Sequence, residues 1–565
     1  MQNLATEKLL SKILAYGAAL TTVFLISGSV SDPVNAPKLL VIGVLATSAV
    51  GLVLSSNLRA RLGSHWVALL PNLIFLVAMT VSVISSKSPF SQNLYGSYGR
   101  NNGFFTYLFL VLILLSALVL RQVAFFTLLV KALFFAGLVN VAYCLWVISF
   151  GDFIGWSNPY GNILGTLGNP DFIGAFLGMF FAAYLAHGLG KESSKIFKFS
   201  MLLVLPVTAF EIVDSHAIQG RVIAVLGTGI VGFFYLRSRF SSLIVAIYST
   251  FSLVVGVLAI GGALQIGPLT KYIYKTSVSL RGQYWLAGWN TGRSHPISGV
   301  GMDSFGDWYR RSRDAHAIVL PGPNTVVNAA HNVWMDMFAF GGWPLLLSYL
   351  AILVVTAISI MKVIIRKKEY DATFVALTAA WIGYQAQSII SINQIGLAIW
   401  GWVLCGALIA YEVTTRESVP NPTNAHAGKT KKPNQNNQQP LGVMVATLCG
   451  LLGLLVALPP LTSDAKWRSA QIVRTVPAIE ATMQSSYFNL QNSTKYLTNI
   501  QDLEASSLFD LSHKYAQEAV KWNPESFELW KVLYLVKNST VQEKAEALKN
   551  MKRLDPLNPD VTSIK

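Results

Sequence analysis

Residues 328–350 read NAAHNVWMDMFAFGGWPLLLSYL. The second half is apolar enough to begin a membrane-spanning helix, and the first half puts His331 and Asn332 at the mouth of that helix. An imidazole titrates near ~6.5 before its surroundings act on it, so a neutral ring able to accept a proton is present at ambient pH. A histidine that only hydrogen-bonds interfacial backbone would look the same in the sequence. Arg221 follows DSHAIQG at the start of another apolar run, so it should face the protein interior or a wet cavity. A guanidinium there suits a phosphate, because its fork matches phosphate oxygens in pairs. His216, His295 and His316 are weaker base candidates, since His295 precedes a proline in a turn and reads as structural.

These residues need elements to hold them, and composition says which kind. The 565-residue chain is 53% hydrophobic and only 12% charged, where a soluble protein would carry about 25% charged residues. Apolar runs of the ~20 residues that cross a bilayer recur along it. Spans are expected near 11–29, 38–55, 66–86, 103–121, 124–149, 170–189, 199–215, 219–237, 242–262, 334–361, 372–391, 393–412 and 441–459. The expected fold is thus an all-α polytopic membrane protein of about 12–13 transmembrane helices, with a long outer loop at 263–333 and a small soluble α-helical repeat domain. Lys8 and Lys12 before an apolar run resemble a signal peptide, but without a small-residue cleavage site they mark an uncleaved first span. Cys144, Cys405 and Cys449 all fall in apolar runs and imply neither disulfides nor a metal site.

The net charge of +16 is explained by loop asymmetry rather than by nucleic acid. With a cytoplasmic N-terminus, the inner loops hold Arg59, Arg61, Arg121, Lys191, Lys195, Lys198, Arg237, Arg239, Lys362, Arg366, Lys367 and Lys368, then Lys429, Lys431 and Lys432. The basic residues that break this alternation are Arg100, Arg221 and, in the long loop, Lys271, Lys275, Arg281, Arg293, Arg310, Arg311 and Arg313. For Arg310–Arg313 the local expectation is headgroup contact or ion pairing with Asp303, Asp307 or Asp314. Residues 416–440 read as a polar cytoplasmic linker, 441–459 as one more span, and 460–565 as an extracytoplasmic helical domain. There, Asn523-Pro524 and Asn558-Pro559 recur at close to the period of a tetratricopeptide repeat, with a degenerate partner expected around 465–500. Such a surface would bind a protein partner or simply cap the membrane domain.

Four polar segments lie on the outer side: NLYGSYGRNNGFFTY (93–107), GTLGNPDFIGAFLG (165–178), DSHAIQGRVIAVLG (214–227), and a fourth running from SLRGQYWLAGWN (279–290) through HPISGVGMDSFGDWY (295–309) to AAHNVWMDMFAFGGWPLLL (329–347). In this order they resemble the O-antigen ligase and polymerase superfamily of lipid-linked glycan transferases, over roughly residues 1–415. The resemblance implies a glycan carried on undecaprenyl diphosphate outside the cytoplasmic membrane of a bacterium, moved to an acceptor hydroxyl. It implies His331 as the base, Arg221 and Arg281 on the donor diphosphate with Arg100 as a third, and no cofactor. GVGMDSFG is not a dinucleotide fingerprint, since no strand-turn-helix surrounds it. Asn332 could orient the imidazole or bind a sugar hydroxyl. Trp285 and Tyr98, with Tyr95, Trp289 and Trp308, could stack on sugars, although an aromatic belt accounts for most of them; Asn169 is a further candidate contact. The outer loops hold no Asp-x-Asp pair, so no metal is expected. Asp171, after GNP, reads as a helix cap; Asp336, placed on a helix with His331, would point away from it.

The acceptor stays open at this stage: lipid A-core for a ligase, another repeat unit for a polymerase, or a protein hydroxyl. A transporter or flippase of an anionic lipid-linked glycan would also use arginines in a membrane cavity. The crowding of polar groups on one side favours an interfacial enzyme over it.

Overall fold

The computed structural model describes residues 2–417 and 438–564. The expected linker, with Lys429, Lys431 and Lys432, lies outside the described residues apart from its two ends. The long helices are α1 (Gln2–Val23), α2 (Asn35–Leu54), α3 (Trp66–Ser85), α4 (Phe104–Leu118), α5 (Val123–Phe150), α6 (Pro170–Gly188), α7 (Lys195–Asp214), α8 (Ile218–Arg239) and α9 (Ser242–Ala263). Then come α10 (Thr276–Ser294), α11 (Phe305–Ser312), α12 (Val333–Arg366), α13 (Ala372–Ile390), α14 (Ile395–Glu417) and α15 (Gln438–Val473). A C-terminal group follows: α16 (Val476–Met483), α17 (Ser493–Ala505), α18 (Phe509–Trp522), α19 (Phe527–Leu535) and α20 (Val541–Leu554). The protein is all-helical, with no strand among the described residues.

Ten of these helices are long and apolar enough to cross a membrane. Every expected span coincides with a helix, but three fall short: α1 carries Glu7, Lys8 and Lys12, α4 has only 15 residues, and α13 carries Gln385 and Gln387. α14 is the hub of the bundle, its apolar stretch wholly buried against α1, α4, α12 and α13, whereas α9 lies entirely on the periphery. Arg61 pairs with Glu7 at 2.7 Å, Arg366 with Glu412 at 3.0 Å, and Arg237 donates to the Ile364 carbonyl at 2.6 Å. These basic residues therefore meet at one end of the bundle, as the alternation of charge along the chain requires.

Two departures from simple spans shape the opposite end. The first is α15, which packs along α2 through small residues: a Cβ on Gly453 would meet Thr47 Oγ1 at 2.1 Å and the Gly43 carbonyl at 2.4 Å. Helices in lipid associate through such close approach. α15 does not stop at Pro459-Pro460, where the last span was expected to end, but runs on to Val473. Pro459 cannot donate to the carbonyl one turn back, at Leu455. The Tyr487 hydroxyl donates to that carbonyl instead, at 3.1 Å.

The second departure is in α12, whose helical path breaks at Gly341 and Gly342, the latter with φ +65°. The HPISGVG segment pairs with the opened backbone: Val300 N–H donates to the Ala339 carbonyl at 3.0 Å, Gly301 N–H to Phe340 at 3.1 Å, and Trp343 N–H to Pro296 at 2.8 Å. The Ser82 hydroxyl also reaches the Phe340 carbonyl. Irregular backbone at membrane depth survives only where protein satisfies it. A side chain at Gly342 would sit 2.3 Å from the Pro296 carbonyl, so only glycine fits.

The C-terminal helices form two successive hairpins, α17–α18 and α19–α20, around Leu503, Tyr515, Trp530, Leu533 and Leu554. The stretch 465–500, expected as an upstream repeat, is instead the end of α15, then α16, a loop and the start of α17. The expected local partners of Arg310–Arg313 give way to this domain. Arg310 binds Glu528 at 2.5 Å and Asp555 at 2.8 Å, Arg313 binds Asp555 at 2.7 Å, and Arg311 binds Glu525. The nearer carboxylates are otherwise engaged. Asp303 holds backbone amides, Asp307 accepts from Gln92 and Asn523, and Asp314 accepts from Ala317 N–H. Arg313 and Asp555 are fully buried. Asp555→Ala should therefore strand two arginines and cost about 3–5 kcal/mol, whereas Glu528→Ala, at a partly exposed carboxylate, should cost under about 1 kcal/mol. Denaturant unfolding of detergent-solubilised protein, followed at the C-terminal tryptophans, separates the two.

Candidate functional site

α10 lies at the loop-bearing end of the bundle, packed on the first half of α12. Arg281, Tyr284 and Trp285 are three and four residues apart on it, so they share a face. That face meets the turn entering α12. His331 sits in this turn with φ +55°, a left-handed conformation that ordinary residues avoid. Its surroundings hold it there. Asn332 caps α12, its carboxamide oxygen accepting from Trp334 N–H at 2.9 Å and Met335 N–H at 3.2 Å. Asp336 reaches back to accept from Ala330 N–H at 2.7 Å, and Trp285 Nε1–H donates to the His331 carbonyl at 3.3 Å. Asp336 is thus no bystander: His331 lies before the helix starts, so helical spacing does not separate the two. The His331 ring lies 5.5 Å from that of Tyr284.

Burial first, then the charges of Arg281 and Arg100, lower the His331 imidazole to about 4. The ring is therefore neutral at physiological pH. The two arginines that lower it come from segments far apart in sequence. Arg281 Nη2 lies 3.4 Å from Asp171 Oδ2, while its Nε is buried without a partner. The Arg100 guanidinium makes no hydrogen bond or ion pair among the described residues; burial lowers its affinity for its proton, opposed by Asp303, Tyr160 and Asp336. Two cations with spare donors beside a neutral imidazole can hold an anion and accept a proton next to it.

Arg221 stands apart. It is exposed on α8, with Nη2 3.3 Å from the Val213 carbonyl, and its charge is not among those acting on His331. Asn169 caps α6, accepting from Asp171 N–H at 2.9 Å and donating to the Tyr160 hydroxyl at 3.1 Å. The cap is therefore Asn169 rather than Asp171, because Pro170 takes the first helical position. The Asp171 carboxylate is freed for Arg281, and its carbonyl accepts from Gln219 of α8, so Asp171 ties three elements together. Tyr98 donates to Asp464 at 2.7 Å and packs edge-on against Trp467, which clasps α15 to the loop after α3. The other outer histidines make local contacts. His295 packs on Trp308, His216 bonds the Asp214 carbonyl, and His316 opens a short turn.

Asp303 is the residue the sequence signalled least. Its carboxylate accepts from Ser97 N–H at 2.7 Å and Asn102 N–H at 3.2 Å, and its carbonyl accepts from the Ser97 hydroxyl at 2.8 Å. Burial pushes its carboxyl up to about 7, against the pull of those two amides and of Arg100. It gathers the loop 96–102 and so positions Arg100. Gly96 is required here, since a Cβ would lie 2.6 Å from the Asp303 carboxylate. Asn101, His216, Asp303 and His331 all adopt left-handed backbone in the polar segments. Such strain persists only where the surroundings over-determine it, as at binding and catalytic sites. The signal in the sequence was the aspartate inside GVGMDSFG, hidden because its partners are backbone amides two hundred residues away.

Residues 201–350 match the family model described as O-antigen ligase. The match includes Arg221, Arg281, Asp303 and His331, while Arg100, Asn169 and the C-terminal helices lie outside it. No curated protein matches the chain.

Asp303→Ala should release the loop carrying Arg100 without unfolding the bundle. Hydrogen exchange at the Ser97 and Asn102 amides should accelerate by roughly tenfold or more, as loss of bonds to a charged acceptor of about 1.5–3 kcal/mol implies. Unchanged protection there would show that the loop is held by something else.

Proposed function

From the O-antigen ligase match over residues 201–350 and the site that region builds, we propose that the chain transfers a glycan from an undecaprenyl-diphosphate carrier to an acceptor hydroxyl. The reaction takes place at the outer face of a bacterial cytoplasmic membrane. The observation that carries this reading is the packing of the α10 face that holds Arg281 against the turn of His331, with Trp285 Nε1–H on the His331 carbonyl at 3.3 Å and the Tyr284 ring 5.5 Å from the imidazole.

The acceptor oxygen attacks the anomeric carbon. The bond from that carbon to the diphosphate oxygen breaks, and the lipid diphosphate leaves with the electron pair. Arg281 and Arg100 hold the charge that grows on it; such fixed cations stabilise a transition state most in a site that excludes water. The acceptor proton goes to His331. A base near 4 is weak, but the two arginines are part of the cause. A diphosphate bound between them offsets their field and raises the imidazole, so the base strengthens when the donor arrives. Asp171 holds Arg281 until then, and Arg221 at the exposed start of α8 suits the approach of an anionic headgroup. The basic residues gathered at the far end of the bundle support an outer position for this site, by the positive-inside rule. Ligase, polymerase and protein glycosylase differ only in the acceptor.

The test uses purified protein in nanodiscs with an undecaprenyl-diphosphate-linked oligosaccharide, alone and then with lipid A-core or a candidate acceptor protein. A ladder of longer lipid-linked chains identifies a polymerase, and a single transfer after acceptor addition identifies a ligase or protein glycosylase. His331→Ala should lower turnover by about 10²–10⁴-fold, the usual worth of a general base; normal turnover would sink the assignment. A second outcome follows from the sign of the shift. Because Arg281 lowers the imidazole, Arg281→Gln should move the acid limb of the donor-free histidine titration upward from about 4, though not to 6.5, since burial remains. Histidine NMR of the donor-free protein reads this directly.

A further inference from the structure

A cavity lies beside the loop that carries Arg100, between the membrane bundle and the C-terminal helices. It has a volume of about 210 Å³. Two of its walls belong to the segments that carry the candidate catalytic groups: Gly96, Ser97, Tyr98 and Asn101 of the loop that bears Arg100, and Asn328, three residues before His331. The opposite wall is Trp467 at the end of α15 together with Trp522 and Phe527 of the C-terminal hairpins.

Its chemistry differs from that of the arginine site. The charged side chains lining it are Asp32, Asp307, Asp464, Glu528, Arg310 and Lys495, four acids against two bases. Each is already engaged. Asp307 accepts from Gln92 and Asn523, Asp464 from Tyr98 and two backbone amides, and Asp32 from Val34 and Asn35 N–H. Arg310 binds Glu528 and Asp555, and Lys495 donates to Ser463, Asn489 and Leu490. Both bases are held in ion pairs or hydrogen bonds, and the acidic excess repels a phosphate. What remains available is neutral. The Gln491 carboxamide oxygen is buried without a partner, and Asn328, Ser91, Thr494 and the Trp522 indole make no side-chain hydrogen bond among the described residues.

Neutral amide and hydroxyl groups beside indole and phenol rings suit a ligand with hydroxyls around its edge and C–H groups on its face. The geometry points to a binding site for a neutral saccharide unit in this cavity, formed jointly by the outer loops and the C-terminal helices. The volume is below the ~300–1,000 Å³ of pockets that enclose drug-sized ligands, so it takes a short portion of a glycan rather than a whole chain. The choice of saccharide rests on the transfer reaction proposed above. The sugar belongs either to the acceptor or to the trailing part of the donor glycan, one loop's thickness from the arginines.

The experiment titrates the full-length protein in nanodiscs with free neutral oligosaccharides of glucose, galactose, mannose and N-acetylglucosamine. Binding is followed by tryptophan fluorescence and saturation-transfer NMR, with inorganic pyrophosphate as competitor. At least one neutral sugar should bind, pyrophosphate should not displace it, and Trp522→Ala and Asn328→Ala should each weaken binding by roughly tenfold, about 1.4 kcal/mol. Trp522→Phe should restore most of it, which separates a lost contact from a lost fold. Arg281→Gln should leave sugar binding intact, so failure of the transfer reaction and failure of this site are distinguishable. In the transfer assay, a raised KM for acceptor in Trp522→Ala assigns the site to the acceptor glycan, and a raised KM for donor assigns it to the donor glycan. The absence of any neutral sugar binding at millimolar concentration, binding that survives both alanine variants, or displacement by pyrophosphate would each overturn the inference.

Discussion

The loop-bearing end of this protein is organised around one buried carboxylate. Asp303 accepts two backbone amides from the loop 96–102 and so joins two remote pieces of chain. A buried acid without such partners would be costly, and a polar loop without an anchor would stay mobile. Joined, they give a rigid wall with two faces. Arg100, whose charge lowers the His331 imidazole, stands on this loop, and Gly96, Ser97, Tyr98 and Asn101 of the same loop line the cavity beneath the C-terminal helices. Both candidate binding regions therefore depend on the same pair of hydrogen bonds.

Asp303 is itself placed by the break in α12. A continuous helix would satisfy its own carbonyls and offer nothing to the loop beside it. Gly341 and Gly342 open the ladder, and the segment 296–301 closes it from outside. This is the constraint that hydrocarbon imposes on any irregular backbone, met by another part of the chain instead of by water. The break also makes the first half of α12 a short independent helix, with Asn332 capping it and His331 just outside the cap.

The electrostatics follow from that placement. An imidazole buried beside two arginines is held neutral, and two arginines without full partners retain capacity for an anion. Neither property belongs to one residue alone. The long loop carries a second set of arginines, Arg310, Arg311 and Arg313, which look alike in the sequence but are committed to Glu525, Glu528 and Asp555. Those ion pairs fasten the C-terminal helices onto the same loop. That domain is therefore part of the site's architecture and not a separate appendage.

Much of this was legible in the residues themselves. Hydrophobic runs mark all thirteen helices expected as spans, ten of them long and apolar enough to cross a membrane, because a helix set in lipid or in the middle of the bundle must present apolar surface whatever its neighbours are. Alternating Lys and Arg mark which helix ends gather together, and the isolated outer-side basic residues include both arginines that act on His331. What the chain could not disclose is pairing across distance. The sequence cannot tell Arg281, whose one ion pair among the described residues is with Asp171 at 3.4 Å, from Arg313, sealed against Asp555 at 2.7 Å, since each is an arginine in a polar loop. It could not show that Asp171 yields its capping role to Asn169, that Tyr98 spends its hydroxyl on Asp464, or that Tyr487 supplies the donor that Pro459 lacks in α15. Composition and periodicity report how a residue meets solvent or lipid. Which donor meets which acceptor depends on where the helices cross, and that was decided only when the bundle packed.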